Sequence, residues 1–246
     1  MNPSSWRNIL KSKSTYPLCK KKKMNNIAIK HSRLQFITNQ WSHRSIPEQV
    51  EKACTGGCRW IQLRLKDKNE SQWLEMVGRV KPICHQYGAF LILNDHVEMA
   101  LKTEADGVHL GKEDMCPAKA RQILGENSII GGTANTLEDI RSMHEKGVDY
   151  IGLGPFRFTP TKKKLSPVLG IKGYRHMIPG MKKERLDSRL VAVGGIEIKD
   201  IPGLMETGIH GVAISSAFSD SNHPETVIQQ AIKQTDKEVK HAKNIG

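Results

Sequence analysis

The chain has 246 residues, 38% of them hydrophobic, and a formal net charge of +13. That length suits one large globular domain, and an α/β barrel uses about 250 residues. No apolar run approaches the roughly 20 residues that cross a bilayer, which excludes a membrane-spanning helix. Five irregularly spaced cysteines (Cys19, Cys54, Cys58, Cys84 and Cys116) argue against a secreted disulfide framework and offer no paired zinc spacing. The charge is uneven: residues 1–23 hold seven basic residues and no acid, so the rest carries only +6. This leader lacks the apolar core of a secretory signal. Its composition resembles an organellar transit peptide, and the lysine run before Met24 also fits a translation start placed too far upstream, the reading we prefer. Either way, residues 1–23 are expected to be a disordered leader and residues 24–246 the folded domain.

In chain order, Leu34–Ile37 predicts a first strand, and Ile46–Cys54 a helix with Pro47 in its first turn. Trp60–Leu63 is the second strand. Ser71 is the expected N-cap of a helix carrying Trp73, Leu74, Val77, Val80 and Ile83 at helical spacing. Phe90–Leu93, Gly107–Leu110, Ser128–Gly132, Tyr150–Leu153, Leu190–Val193 and Gly211–Ile214 complete eight apolar runs. Between them come helical stretches around 97–102, from Pro117 to Leu124, from a Thr136 cap to Gly147, from Asp200 to Gly208, and from Glu225 onward. Residues 179–189 read as a basic insertion. Eight strand–helix alternations with right-handed crossovers predict a single-domain (β/α)8 TIM barrel, with an open doubly wound sheet as the other solution.

The strands end in polar punctuation, and in a closed parallel barrel those ends meet at one mouth. Arg64 and Lys66 are two apart, so they share a face and suit a diphosphate. Asp95 and Asp114 follow the neighbouring third and fourth strands, as carboxylates holding Mg²⁺ would, although either could instead cap a helix. After the sixth strand comes GPFRFTPTK, a glycine-led loop with Thr159, Thr161 and Lys162. Gly194-Gly195 and Ser215-Ser216 occupy the phosphate-binding position common in such barrels.

The segments IQLRLKD, LILND, DGVHLGKED, DYIGLGPFRFTPTKKK, VAVGGI and GVAISSAF closely resemble the thiamine-phosphate synthase (thiamine-phosphate pyrophosphorylase) family, in family order from Leu34 to about Phe218. The resemblance implies a transferase of thiamine biosynthesis that joins hydroxymethylpyrimidine diphosphate to a thiazole phosphate, releasing pyrophosphate. It implies a dissociative, Mg²⁺-assisted mechanism in which pyrophosphate leaves before the thiazole nitrogen attacks. Gln62, Arg64, Lys66, Asn94 and Lys162 would hold the pyrimidine diphosphate, and Asp95 and Asp114 the Mg²⁺. Thr159, Thr161, Gly195, Ser215 and Ser216 would hold the thiazole phosphate, and Thr133 keeps a hydroxyl in the substrate site. Arg64, Lys66 and Lys162 are the expected catalytic cations. The resemblance also implies a cytoplasmic protein with small-molecule substrates and no nucleic-acid or membrane partner, and it allows a homodimer.

Three positions depart from the family pattern. Leu65 replaces an acid, on the face opposite Arg64 and Lys66. Asn135 replaces the histidine of a Ser-x-His pattern, and Arg157-Phe158 stand where smaller or apolar residues and a proline are usual. Two other functions account for less of the sequence. A thiazole tautomerase-like barrel needs a proton-transferring histidine where Asn135 stands. A non-catalytic module binding phosphate or RNA through the basic leader would leave the polar strand ends unexplained.

Overall fold

The computed structural model of the protein describes residues 29–158 and 167–243, so the basic leader lies outside the described residues. Eight parallel strands close into a barrel in sequence order, with the last pairing back onto the first. They are β1 (Leu34–Ile37), β2 (Trp60–Leu63), β3 (Phe90–Asn94), β4 (Gly107–Leu110), β5 (Ile129–Ala134), β6 (Tyr150–Leu153), β7 (Leu190–Ala192) and β8 (Gly211–Ile214). Closure settles the alternative left by periodicity: the fold is the TIM barrel, not an open sheet. Among the described residues, no helix is long and apolar enough to cross a membrane.

Because strand side chains alternate, each strand feeds two cores. In β2, Ile61 and Leu63 face outward and pack with Val50, Val77, Val80 and the neighbouring strand residues Leu91 and Leu93. Trp60 faces inward, where it meets Phe90, Ile92, Ile129, Tyr150, Val191 and Ala213. Its ring lies edge-on to Tyr150 with centroids 4.7 Å apart. Truncating so buried an aromatic to alanine costs about 3–5 kcal/mol. This plug fills the lower barrel, so ligands are confined to the mouth above it.

Local chemistry sets the helix starts, and in places it differs from expectation. The helix expected to begin at Ser71 spans Glu70–Gln86 and is capped by Asn69, whose side chain accepts from Gln72 N while Gln72 bonds back in a capping box. Asn is as good a cap as Ser, and the reciprocal Gln decides between them. Thr136 caps Leu137–Glu145 as expected, boxed by Asp139. β5 runs two residues further than the predicted Gly132, through Thr133 and Ala134. Asp200 ends a 3-10 turn, Ile198–Asp200, and the helix proper is Ile201–Glu206.

The expected insertion at 179–189 does not exist as such. Residues 179–183 form the last turns of the helix Gly170–Lys183, which makes the β6-to-β7 crossover. Pro179, with Gly170, Gly173 and Gly180, hid its periodicity, yet its apolar side still packs through Tyr174, Ile178 and Met181. Among the described residues the cysteines are free core and surface thiols: Cys54, Cys58 and Cys84 are buried and Cys116 is exposed, while Cys19 lies outside them.

Candidate active site

The line Gln62, Arg64, Lys66 climbs β2 from the barrel interior to its rim. Two side chains following β1 brace the strand end: Arg64 N donates to Thr38 Oγ1 at 2.9 Å and Lys66 N to Gln40 Oε1 at 2.7 Å. The Arg64 guanidinium lies 5.7 Å from the Trp41 ring centroid, within cation–π range. Burial draws its pKa down and the Asp95 charge opposes that; an arginine remains charged regardless. Leu65 points the other way and is buried in the shell between strands and helices, so the missing acid leaves this line untouched.

Asp95 follows β3 in the left-handed region, at φ 65°, a conformation that Asp and Asn adopt more readily than most residues. Its backbone N donates to His109 O at 2.8 Å, tying β3 to β4. Its carboxylate takes Lys66 Nζ at 2.6 Å and is hydrogen-bonded to Asp114. Asp114 Oδ2 also accepts from Gly111 N at 2.6 Å. Neither acid caps a helix: the N-caps are His96 and Cys116. Burial, followed by contact with Asp95, pushes the Asp114 carboxyl up to about 6. For Asp95, burial pulls upward, but bonds to Lys66 and Asp114 outweigh it and hold the carboxyl below its usual value.

Two carboxylates this close repel one another, which is why contact with Asp95 adds to burial in raising Asp114. A hard divalent cation with oxygen ligands relieves that repulsion. The donor set fits Mg²⁺ for this reason, although no cluster of three or more His, Cys, Asp or Glu occurs among the described residues.

Asn94 ends β3 and is 8% exposed; Thr133, at 7%, sits inside β5. Asn135 N donates to Asp139 Oδ2 at 2.8 Å, and its amide Nδ2 donates to Gly154 O, bridging β5 to the loop after β6. That loop leaves the barrel through a tied neck. Phe156 N and Arg157 N donate to Val193 O and Gly194 O, each at 2.9 Å. Leu169 N and Gly170 N return to Pro155 O at 2.9 Å and Phe156 O at 3.0 Å. Thr159, Thr161 and Lys162, expected on the same loop, lie outside the described residues.

Arg157 fastens the neck to the loop after β7. Its guanidinium forks onto Asp200 at 3.0 Å to each oxygen, reaches Glu197 at 3.2 Å, and donates to Gly195 O at 2.6 Å. Gly194 and Gly195 have φ of 97° and 67°, conformations that L side chains rarely adopt. A Cβ on Gly194 would lie 2.8 Å from Pro155 Cβ. Half-buried Ser215 and exposed Ser216 follow β8, the strand next to β7.

The structure thus gathers Arg64, Lys66, Asp95 and Asp114 on the β2–β4 side of the mouth and Gly195, Ser215 and Ser216 on the β7–β8 side. Sequence reading missed Gln35, His109, Tyr150 and the Arg157 clamp. Gln35 and His109 had a signal, a polar residue at an inward position of an apolar strand. The Arg157–Asp200 pair is separated by 43 residues and had none.

A family model described as thiamine monophosphate synthase matches residues 34–218. A thiamine-phosphate synthase of Bacteroides fragilis is 51% identical over 191 residues, covering 78% of this chain and 94% of the relative. One from Flavobacterium johnsoniae is 45% identical over 200 residues, covering 81% and 94%. The solved thiamine phosphate pyrophosphorylase of Pyrococcus furiosus superposes with a TM-score of 0.76 at 29% identity, over 87% of this chain and 99% of that one. The chain belongs to the thiamine-phosphate synthase family.

Proposed function

We infer that this chain is an enzyme catalysing the thiamine-phosphate synthase reaction, in which hydroxymethylpyrimidine diphosphate and thiazole phosphate give thiamine phosphate and pyrophosphate. The observation that carries the site assignment is the linked set Lys66–Asp95–Asp114 beside Arg64, on three neighbouring strands at one edge of the mouth. Two carboxylates there largely cancel two cations. A multiply charged diphosphate would find little net attraction unless a divalent cation entered with it. Mg²⁺ held by Asp95 and Asp114 would supply that charge and neutralise the negative charge of the leaving diphosphate.

In this reading Gln62 and Asn94 orient the pyrimidine and its diphosphate from the barrel wall. Arg64 offers a planar fork and Lys66 a point charge to the departing pyrophosphate, and Lys162 would add a further cation. The bond from the pyrimidine methylene carbon to the diphosphate oxygen breaks, with the electron pair leaving on oxygen. The thiazole nitrogen lone pair then forms the new carbon–nitrogen bond. The thiazole phosphate is held by Thr159, Thr161, the Gly195 backbone and Ser215-Ser216. No protein nucleophile is needed, and stabilising charge on the leaving group is the main catalytic contribution. Asn135 cannot exchange protons near neutral pH, and its amide is already committed to Gly154 O, which disfavours a tautomerase.

The test is direct: purified protein, Mg²⁺ and both substrates should yield thiamine phosphate and pyrophosphate in equal amounts. Isomerisation of the thiazole without coupling would replace this reading with the tautomerase.

A further inference from the structure

Beneath the mouth, a chain of hydrogen bonds crosses the barrel interior from β1 and β2 to β5. Gln62 Nε2 donates to Gln35 Oε1 at 3.3 Å, and Gln35 Nε2 donates to Tyr150 Oη at 3.2 Å. Tyr150 Oη lies 3.1 Å from His109 Nδ1, and His109 Nε2 lies 3.1 Å from Thr133 Oγ1.

We propose that this relay fixes His109 as the neutral Nε2–H tautomer, so that Thr133 is set as a hydrogen-bond donor toward an anionic, phosphate-bearing ligand in the mouth. The directions follow from which atoms can donate. An amide NH₂ group only donates, so the Tyr150 oxygen, taking one of its hydrogens from Gln35, is an acceptor on that side. Its single proton is left for His109 Nδ1. An imidazole accepting at Nδ1 carries its hydrogen on Nε2 and donates it to Thr133 Oγ1. The threonine proton is then free to point onward. Phosphate oxygens only accept, so a Thr133 that had to donate back to His109 would present them with lone pairs alone.

The geometry is built for this purpose. Tyr150, Gln35 and Gln62 are almost wholly buried, and burial holds the phenol pKa well above its usual value, so Tyr150 keeps its proton. The two rings stack with centroids 5.4 Å apart. Their space exists because two mid-strand positions are glycine, a residue that weakens strands. A Cβ on Gly131 would lie 2.2 Å from Tyr150 Cζ and 2.6 Å from His109 Nδ1, and one on Gly152 would lie 3.0 Å from His109 Cε1. Gln35, Tyr150 and His109 are therefore positioning residues acting through Thr133. The relay rests on the proposed function only for the identity of the anion.

Long-range ¹H–¹⁵N correlation of histidine-labelled protein reads the tautomer, with the His109 signals identified by their loss in His109→Gln. The wild-type protein should show protonated Nε2 and unprotonated Nδ1 at neutral pH. Tyr150→Phe should turn this into a tautomer mixture. Tyr150→Phe and Thr133→Val should each raise KM for the pyrimidine diphosphate about tenfold, the size of one lost bond to a charged group. Thr133→Ser should recover part of that loss, and the Tyr150→Phe, Thr133→Val double variant should be no worse than either alone. A wild-type His109 protonated on Nδ1, or on both nitrogens, overturns the relay, and so do additive effects in the double variant. The tautomer measurement needs no substrate turnover, and retention of the other histidine signals shows that His109→Gln is folded. It fails or holds independently of whether the protein makes thiamine phosphate.

Discussion

Along β2, β3 and β4 the groups of the candidate site stand on the strands or within a few residues of their ends, whereas along β6, β7 and β8 they stand on loops tied together from a distance. On the first side Arg64 and Lys66 are fixed by backbone bonds to Thr38 and Gln40, and Asp95 by its own N–H to His109 O. On the second side, the neck at Phe156-Arg157 and the turn at Gly194-Gly195 hold each other, with Arg157 and Asp200 as the clasp. The first is pre-formed by strand register and suits the charge that develops as pyrophosphate leaves. The second is set by bonds between two loops distant in sequence. On the proposed function, strand-end residues would govern the chemical step and loop-clasp residues the binding of the second substrate.

The largest effect should come from the first side. Asp95→Asn keeps the shape and tolerates the left-handed backbone, so it should fold normally. Turnover should nevertheless drop about 10²–10³-fold, the usual loss for one preorganised electrostatic partner, with partial recovery at high Mg²⁺. Steady-state rates over a Mg²⁺ series, with circular dichroism as the folding control, check this. A normal rate would remove the carboxylate pair from the site.

A control away from both sides comes from the bottom of the barrel. His210 Nε2 meets Ile29 O at 2.9 Å and Ser32 O at 3.2 Å, and burial, with the charge of Arg33 adding to it, lowers its pKa to about 4. A folded-state pKa below the unfolded value means the stability is present above pH 6.5 and is lost as pH falls through 4. Integrated over that window, the linkage is roughly 3 kcal/mol. Chemical denaturation at pH 7, 5.5 and 4.5 should show the decline, and His210→Gln should flatten it.

Breaking the clasp should give a smaller and more selective change. Arg157→Ala should raise KM for thiazole phosphate about tenfold while leaving the chemical step at saturation close to wild type, because about one charge-assisted bond's worth of order is lost. Arg157→Lys should rescue poorly, since it cannot fork onto Asp200. An equal loss in the single-turnover rate would erase the distinction between the two sides. The smallest effect should come from removing residues 1–23. Ile29, beyond that leader, is 1% exposed and packs against the barrel interior. A protein starting at Met24 should keep its melting temperature and turnover.

The contrast between the two sides also explains how much was legible in the sequence. Strand ends are written locally: Trp60, Gln62 and Arg64 alternate with Ile61, Leu63 and Leu65, so inward and outward faces can be read residue by residue. Asp95 and Asp114 could be placed on neighbouring strands from strand order alone, but their mutual hydrogen bond could not. Capping by Asn69 instead of Ser71 turned on a reciprocal bond two candidates apart. The helix Gly170–Lys183 was hidden because Pro179 and nearby glycines read as a break, although tertiary packing of Tyr174 and Ile178 overrides them. The relay through Gln35, Tyr150 and His109 links residues up to 115 positions apart, and no local pattern reports such a contact.

The claim at the centre of this account is that Arg64 and its neighbours stabilise the leaving pyrophosphate in the bond-breaking step. Single-turnover kinetics of Arg64→Ala with both substrates saturating measure that step alone. The account predicts a rate about 10²–10³-fold below wild type, with only partial rescue by Arg64→Lys. An unchanged single-turnover rate, with any loss confined to diphosphate binding, would contradict it.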